Sequence, residues 1–375
     1  MPRFTLTIRN LRGLRHIQWS PEGVSLLIGP NGAGKSTVIL ALKLLRTAFD
    51  RGLPEAVALV LGGSEGLKHT DAEEDEPTLL QVELDDLCWR VQLVPRGPSV
   101  DHLADETLTV SGRTVFKRDS LGNFEVDGER WPASERLGLR AVLDSQRDDP
   151  HVAQMSDFLS RIAVFHDLDP YHLRRQGSNT AQTKHLHSRG HNALAMLRRW
   201  SQERPDRWRY RVVIDAVKAA FPSVVDDLDF QEAGNTLVAR VYPPGRELPV
   251  PLANESNGLI AMLVSMCALV SAAEGAVVAI DEAGDAMHPF ALRVFARQAE
   301  QLARKRKLTV ILTSHNPVLI DHFDPHPERV FALTRTSEPG PTPLTALKDP
   351  EWLTQFRLGE LYADGELGSN DVAGV

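Results

Sequence analysis

"GPNGAGKST", residues 29–37, is the stretch of sequence that decides the fold. It follows the short apolar run "GVSLLIG" and leads into "STVILALKLLRTAF", whose apolar residues recur at helical spacing. Glycines allow a turn tight enough for successive amide N–H groups to point at one phosphate, and the positive end of the helix adds attraction. The order of strand, loop and helix therefore predicts a nucleotide-binding loop. The predicted phosphate-binding residues are Gly29, Pro30, Asn31, Gly32, Ala33, Gly34, Lys35, Ser36 and Thr37.

Two side chains of this loop have predicted roles in catalysis. Lys35 is expected to reach the β- and γ-phosphates, and Ser36 is expected to offer its hydroxyl to Mg²⁺. The loop therefore predicts both a nucleotide and Mg²⁺ as cofactors.

A second stretch, "GAVVAIDEAGDAMHP" (residues 275–289), is an apolar strand that ends in two acidic residues. Asp281 would lie beside the phosphate loop and hold Mg²⁺ through water, while Glu282 would take a proton from the attacking water. On its own, an acidic pair after a strand is more often a solvated strand end. The upstream phosphate loop favours the catalytic interpretation.

A third stretch, "TVILTSHNP" (residues 309–317), is another apolar strand that ends in polar residues. Ligands of open α/β sheets bind at the carboxyl ends of the strands, where His315 would contact the γ-phosphate or the attacking water. One helix and one strand separate it from Asp281, which predicts that the two strands are neighbours. Without the other two stretches, this histidine would be interpreted as structural.

Composition sets limits on where the protein acts. The chain has 375 residues, a formal net charge of −8 and two cysteines, Cys88 and Cys267, which favours a reducing compartment over a disulfide framework. The most apolar segment, residues 259–273, is interrupted by serines and is shorter than the roughly 20 residues that span a bilayer. The N-terminus lacks the apolar stretch of a signal peptide. We expect a cytoplasmic protein without membrane segments.

The three motifs, in this order, resemble those of the ABC-type ATPases of the SMC, RecF and OLD group, especially stand-alone AAA/ABC ATPases of bacterial defence and repair operons. Further similar stretches are "NLRGLRHIQW" (10–19), "GHNALAMLRRW" (190–200) and "RLGELYADGELG" (357–368). The resemblance implies an α/β fold, a P-loop NTPase of ABC/SMC-RecF type with a mixed sheet and an inserted, largely helical lobe. It also implies that the nucleotide is ATP.

In this group two subunits clamp ATP between them, which implies a homodimer or a higher oligomer. The signature motif that closes on the partner's ATP is expected in "ANESNGLIAML" (253–263), as Ser256, Asn257 and Gly258. The stretch departs from the usual LSGGQ pattern, and a simple helix-capping loop is the alternative. The sequence does not place the glutamine of the family's Q-loop: Gln81 and Gln146 are both candidates, and neither has a motif around it.

The resemblance implies an ATP-driven switch or motor for a separately encoded effector, with antiphage defence as the expected role. The alternative is a RecF-like, DNA-binding repair ATPase in which hydrolysis times DNA release. A transporter subunit is disfavoured by the divergent signature and the long middle segment. Only 60 residues follow His315 and they contain no Asp-x-Asp, so a Toprim nuclease domain is not expected.

The middle of the chain is strongly basic, with ten Lys and Arg against two acidic residues between positions 171 and 211. Aromatic residues interleave with the arginines there, as on surfaces that touch phosphate and stack on bases. The alternative is a pair of helices whose aromatic residues pack inward while the arginines face water. The candidate DNA contacts are Arg198, Arg199, Arg207 and Arg209.

A histidine-rich stretch, "HLHSRGHN" (residues 185–192), suggests a metal or nuclease-like site, since His185, His187 and His191 are close in sequence. No carboxylate lies among them, and residues 190–194 match a helix start of the family, so a structural role is expected.

The expected organisation has four parts. Residues 1–135 form a first ATPase lobe with a β-hairpin region around "LLQVELDDLCWRVQLVP" (79–95), and residues 136–235 form a mainly helical lobe. Within that lobe, residues 140–165 and 192–221 carry helical patterns. Residues 236–368 complete the ATPase core, and residues 369–375 form a disordered tail.

Overall fold

The strand that precedes the glycine-rich loop is buried at every position and lies inside a six-stranded sheet. The structure is a computed structural model that describes residues 3–73, 76–93, 103–119, 123–132, 136–181, 183, 185–334, 342–347 and 357–367. The expected tail, residues 369–375, falls outside the described residues.

The strands of the described part are β1 (Thr5–Leu11), β2 (Leu14–Trp19), β3 (Val24–Ile28), β4 (Thr78–Leu84), β5 (Leu87–Leu93), β6 (Leu103–Val110), β7 (Arg113–Asp119), β8 (Phe124–Val126), β9 (Glu129–Trp131), β10 (Ile162–Phe165), β11 (Ser178–Asn179), β12 (Asp227–Ala233), β13 (Thr236–Tyr242), β14 (Val250–Pro251), β15 (Val277–Ile280), β16 (Thr309–Thr313), β17 (Val330–Leu333) and β18 (Leu344–Ala346). The helices are α1 (Lys35–Arg51), α2 (Leu53–Leu61), α3 (Gly138–Asp144), α4 (Pro150–Ser160), α5 (Pro170–Gln176), α6 (Ala193–Gln202), α7 (Arg207–Ala220), α8 (Asn257–Ser271), α9 (Pro289–Arg306), α10 (Pro317–Asp321) and α11 (Leu358–Ala363).

The central sheet has the strand order β10-β15-β16-β3-β17-β18. Its first five strands are parallel, and β18 joins the edge antiparallel to β17, so the sheet is mixed as predicted. The predicted adjacency of the strands before Asp281 and His315 is confirmed, because β15 pairs with β16.

Both faces of the central sheet are buried, which explains why its strands are apolar at consecutive positions. On β3, Leu26 packs into one hydrophobic core and Leu27 into the other. Alternate residues of β15 and β16 divide between the two cores in the same way. Helix α1 lies on the second face, while α8 and α9 belong to the core on the first face.

An eight-stranded antiparallel sheet, in the order β2-β1-β4-β5-β6-β7-β8-β9, packs into the same core as α1. The predicted hairpin is present as β4 and β5, whose turn joins Leu84 to Leu87. On β6, the fully buried carboxylate of Glu106 accepts hydrogen bonds from the backbone N–H groups of Gly138 and Leu139. This carboxylate fixes the start of α3 against the sheet.

The segment 136–235 contains α3 to α7, but it also supplies β10 to the central sheet. The helical pattern predicted through residue 165 is wrong for Ile162–Phe165, which forms this edge strand. A small sheet of β11, β12, β13 and β14 completes the helical region. The predicted domain boundaries stay predictions.

Candidate nucleotide-binding site

The central sheet brings the three motifs to one edge, because β15, β16 and β3 are adjacent and parallel. The glycine-rich loop leaves the carboxyl end of β3 and enters the 17-residue helix α1. Gly29 is required here, since a Cβ at this position would lie 2.1 Å from the carbonyl oxygen of Leu333, and its φ is +141°. Gly34 caps α1 in the left-handed region.

Lys35 is nearly buried, with 6% of its surface exposed, and its ammonium lies inside the loop. Nζ donates to the carbonyl oxygens of Gly29 (2.8 Å) and Pro30 (3.0 Å). Burial lowers the pKa of Lys35, while the carboxylates of Asp281 and Glu282 act in the opposite direction. These bonds hold the ammonium at the place where the loop would receive phosphate oxygens.

Ser36, Asp281 and Glu282 line one cavity of about 310 Å³. Asp281 Oδ1 accepts a hydrogen bond from the Thr313 hydroxyl at 2.5 Å, which orients the carboxylate from the neighbouring strand. A serine hydroxyl and a carboxylate are the hard oxygen donors that Mg²⁺ prefers, so this pair of residues fits a Mg²⁺ ion.

Glu282 has an unusual backbone for its residue type, with a φ of +51°. Its N–H donates to the Thr313 hydroxyl oxygen at 2.8 Å, so the same threonine holds both acidic residues. Burial and then the neighbouring carboxylates of Asp285 and Asp281 raise the pKa of Glu282. A carboxylate with a raised pKa is a better proton acceptor than an ordinary one.

His315 lies beside the phosphate loop through a third residue, Tyr362. The Tyr362 hydroxyl donates to the Gly29 carbonyl oxygen at 3.1 Å and lies 2.8 Å from Nδ1 of His315. Burial and the charge of Lys35 lower the pKa of His315, which favours the neutral ring. The Tyr362 hydroxyl has one proton and donates it to Gly29, so its oxygen accepts the hydrogen bond from Nδ1–H of His315. Nε2 of the neutral His315 ring is then unprotonated and acts as an acceptor.

Sequence reasoning missed two residues that follow β10, the strand beside β15. His166 and Asp167 line the cavity of Ser36, and Nε2 of His166 is 3.3 Å from Oδ2 of Asp281. The motif "IAVFHD" does carry the signal of an apolar strand followed by polar residues, but its strand has only four residues. Tyr362 was missed because nothing in its local sequence marks contact with the loop.

Neither candidate for the Q-loop glutamine lines this cavity. Gln81 lies on β4 of the antiparallel sheet, where its side chain donates to Glu83 at 2.6 Å. Gln146 follows α3. The side chain beside Asp281 is that of His166.

The signature candidates lie at the start of α8. The side-chain oxygen of Ser256 caps this helix by accepting from the Leu259 N–H at 3.2 Å, and Asn257 accepts from Arg174 at 3.2 Å. Ser256 and Asn257 are exposed, whereas Gly258 is buried. A Cβ on Gly258 would lie 2.7 Å from the carbonyl oxygen of Ala286. Within one chain, Ser256 therefore acts as a helix cap, as the alternative interpretation expects. The hydroxyl proton of Ser256 is still available to donate a hydrogen bond.

Three of the four candidate DNA contacts are held by partners within the chain. Arg198 pairs with Glu232, Arg199 is 3.3 Å from both Glu203 and Asp206, and Arg209 is 2.9 Å from Asp206. Arg207 is exposed. Trp200 is buried, so the arrangement corresponds more closely to the inward-packed helix pair than to a row of free cations.

The histidine-rich stretch divides in the structure. His185 and His187 are exposed, whereas His191 meets Asp169 and His172 from another part of the chain. No carboxylate lies among these histidines in sequence, but Asp169, 22 residues before His191, is close to it in space.

Comparison with protein families gives a match over residues 111–321 to the family described as "AAA domain, putative AbiEii toxin, Type IV TA system". The match covers more than half of the 375 residues and includes Asp281, Glu282 and His315. The chain belongs to this AAA family. The AAA match begins downstream of the glycine-rich loop.

The chain is also similar to solved structures of Smc heads. The AAA protein is similar to an Smc head bound to the C-terminal winged-helix domain of ScpA, with 11% identity over 95% of this chain and 100% of that one, at a TM-score of 0.52. Other matches are an Smc head with an extended coiled coil, bound to the C-terminal domain of ScpA, from Pyrococcus furiosus (11% identity, 92% and 96% covered, TM-score 0.49) and the SMC head domain from Thermotoga maritima (12%, 93% and 100%, TM-score 0.45). A search of curated proteins finds no match.

The predicted resemblance and fold class are thus confirmed: the chain belongs to an AAA family and its fold is similar to that of an Smc head. Among the described residues of this AAA protein, every helix is too short or too polar to cross a bilayer. The roles of the individual site residues stay predictions.

Proposed function

We propose that this protein hydrolyses ATP with Mg²⁺, pairs with a second copy across two bound nucleotides, and uses this cycle to switch a separately encoded effector in antiphage defence. The observation that carries the proposal is the shared cavity of Ser36, Asp281 and Glu282, next to a loop that already holds the ammonium of Lys35.

The chemistry follows from the positions of these side chains. Lys35 and the loop amides would hold the phosphates, while Ser36 and, through water, Asp281 would hold Mg²⁺, which neutralises phosphate charge. Glu282 would accept the proton of the attacking water, and His315 would orient that water by accepting a hydrogen bond from it at Nε2. Hydrogen bonds with Thr313 hold Asp281 and Glu282 in position, and the hydrogen bond with Tyr362 holds His315.

Dimerisation is supported by the exposed start of α8. Ser256 lies at the N-terminus of a 15-residue helix, where the helix dipole and free N–H groups favour an anion. Gly258 packs this end of α8 directly against Ala286, five residues after Asp281. A γ-phosphate held by Ser256, Asn257 and Gly258 of one copy would thereby bind a helix end that packs against the segment following the acidic pair of the same copy.

An effector partner is supported by the comparisons. The family description names a toxin of a toxin–antitoxin system, which favours a defensive role. The similar Smc head is bound to a domain of a different protein, ScpA, so a head of this fold can receive a separate partner.

The deciding experiment is light scattering of the Glu282→Gln variant with ATP and Mg²⁺. Loss of the base should slow hydrolysis about 100-fold or more and trap a dimer. The matched control is Glu274→Gln, at the opposite end of the same strand, where the exposed carboxylate lies 3.7 Å from Lys307. Lys35→Ala should lose nucleotide binding. A Glu282→Gln protein that binds ATP but stays monomeric would refute the dimer mechanism.

A further inference from the structure

A cluster of two histidines and one aspartate lies outside the nucleotide cavity. The ligand atoms of Asp169, His172 and His191 all lie within 4.8 Å of one another, and each residue is half-buried. Nε2 of His191 is 3.4 Å from Oδ2 of Asp169. The two imidazole rings are stacked, with centroids 3.8 Å apart and planes 16° from parallel.

Hydrogen bonds and close packing hold the backbone on both sides of this cluster. The N–H of Asp169 donates to the carbonyl oxygen of Arg189 at 3.0 Å, which ties the start of α5 to the histidine-rich stretch. The Ser178 hydroxyl donates to the carbonyl oxygen of His191 at 2.7 Å. Gly190, at φ +77°, lies so close to Val264 of α8 that a Cβ would be 2.4 Å from it. The backbone segments that carry the three ligands are therefore fixed relative to each other.

The carboxylate of Asp169 presents one of its two oxygens to the histidines. One carboxylate oxygen caps α5 by accepting from the His172 N–H, so the other oxygen faces the two rings.

We propose that Asp169, His172 and His191 bind a divalent transition-metal ion of the Zn²⁺ class, with water as a fourth ligand. Two imidazoles and one carboxylate form a donor set typical of zinc, whereas the all-oxygen pair of Ser36 and Asp281 suits Mg²⁺. Ligands at about 2.0–2.1 Å from a tetrahedral ion lie roughly 3.4 Å apart. On metal binding, the imidazole rings of His172 and His191 would rotate out of their stacked arrangement to reach this geometry.

The position of the cluster gives the ion a structural consequence. Asp169 follows Asp167, which lines the nucleotide cavity, by two residues. Helix α5, which begins after Asp169, reaches the signature segment through Arg174, whose side chain donates to Ala253 (2.8 Å) and Asn257 (3.2 Å). An ion bound by the cluster would fix α5, which links the nucleotide cavity to the signature segment, to the histidine-rich stretch. The metal site itself rests on these contacts and not on the proposed ATPase cycle.

The test is titration of the nucleotide-free full chain with Zn²⁺ by calorimetry, and with Co²⁺ by visible absorption, in excess Mg²⁺. One ion should bind per chain, with Co²⁺ bands of a tetrahedral site. His172→Ala and His191→Ala should each lose at least tenfold in affinity, and Zn²⁺ should raise the melting temperature of the parent protein but not of these variants. The matched control is His187→Ala, an exposed histidine of the same stretch, which should bind as the parent does.

Two results would overturn the proposal. One is the lack of stoichiometric Zn²⁺ or Co²⁺ binding by the folded parent protein. The other is equal affinity in the parent and in folded His172→Ala and His191→Ala variants. Circular dichroism of each variant establishes that it is folded, and His172→Gln and His191→Gln replace any alanine variant that is not.

Discussion

The hydroxyl of Tyr362 lies 2.8 Å from Nδ1 of His315 and connects this histidine to the phosphate loop through Gly29. Helix α11 places the tyrosine there by docking on α10, which begins directly after His315 and Asn316. The Gly359 N–H donates to Asp321 at 2.9 Å, and a Cβ on Gly359 would lie 2.4 Å from the Pro317 carbonyl oxygen. Residues near the described C-terminal end therefore complete a site that begins at residue 29.

Tyr362→Phe tests this connection. The change should leave Nδ1 of His315 and the Gly29 carbonyl oxygen without their shared partner, so the ring orientation is lost while the apolar packing stays. We expect kcat for ATP to fall about tenfold, since a misplaced catalytic group is costly, with a loss of about 1 kcal/mol in stability. Steady-state kinetics and urea unfolding measure both.

The control for this variant is Tyr171→Phe, which removes the hydroxyl of an exposed tyrosine on α5. It should leave kcat unchanged. Equal kcat values for Tyr362→Phe and the parent protein would show that the hydroxyl does not position His315.

His166→Ala tests the residue that follows β10. Its ring lies between two carboxylates, 2.8 Å from Asp167 and 3.3 Å from Asp281, so it orients the proposed Mg²⁺ carboxylate. Removal of such a supporting group typically costs 10–100-fold in metal affinity or activity. We expect the Mg²⁺ concentration for half-maximal ATPase activity to rise about tenfold. His326→Ala, an exposed histidine beside Glu328, is the control, and a parallel response of both variants would exclude a specific role.

Gly258→Ala tests the contact between α8 and the segment after Asp281. In an unobstructed helix, alanine would stabilise by about 1 kcal/mol relative to glycine. Here the new Cβ would lie 2.7 Å from a backbone carbonyl oxygen, and overpacking of this kind costs about 1–3 kcal/mol. We therefore expect a net loss in thermal stability together with weaker ATP-dependent dimerisation. Gly13→Ala is the control for stability alone, because its nearest atom, the Gly32 carbonyl oxygen of the phosphate loop, is at an ordinary 3.5 Å. A stabilised Gly258→Ala protein would contradict the close packing.

Much of the site was predictable because it depends on strand order along the chain. A glycine-rich loop and two polar strand ends converge whenever their strands are parallel neighbours, and β15, β16 and β3 are. Local sequence patterns therefore predict that Lys35, Asp281 and His315 meet at one edge of the sheet.

The remaining contacts depend on tertiary structure that local patterns do not encode. Tyr362 reaches Gly29 across 333 positions of sequence, and Asp169 reaches His191 across 22. The four residues of β10 are too few to distinguish a strand from the end of a helix by periodicity. Gln81 and Gln146 stay candidates for the Q-loop glutamine, and Gln81 lies on a strand of the antiparallel sheet.

Arg209→Ala distinguishes the two interpretations of the basic segment. Arg209 donates to Asp206 (2.9 Å) and to the Val270 carbonyl oxygen (2.6 Å), and its guanidinium lies 5.1 Å from the ring centre of Trp208. As a structural cation, its loss should cost about 1–3 kcal/mol in unfolding free energy, whereas Arg207→Ala, at an exposed position, should change it by less than about 0.5 kcal/mol. Urea unfolding measures these free energies. DNA affinity measured across a salt series tests whether either arginine contacts phosphate. An Arg209→Ala protein of full stability, whose DNA affinity falls with a shallower salt dependence, would instead identify Arg209 as a phosphate contact and revive the repair interpretation.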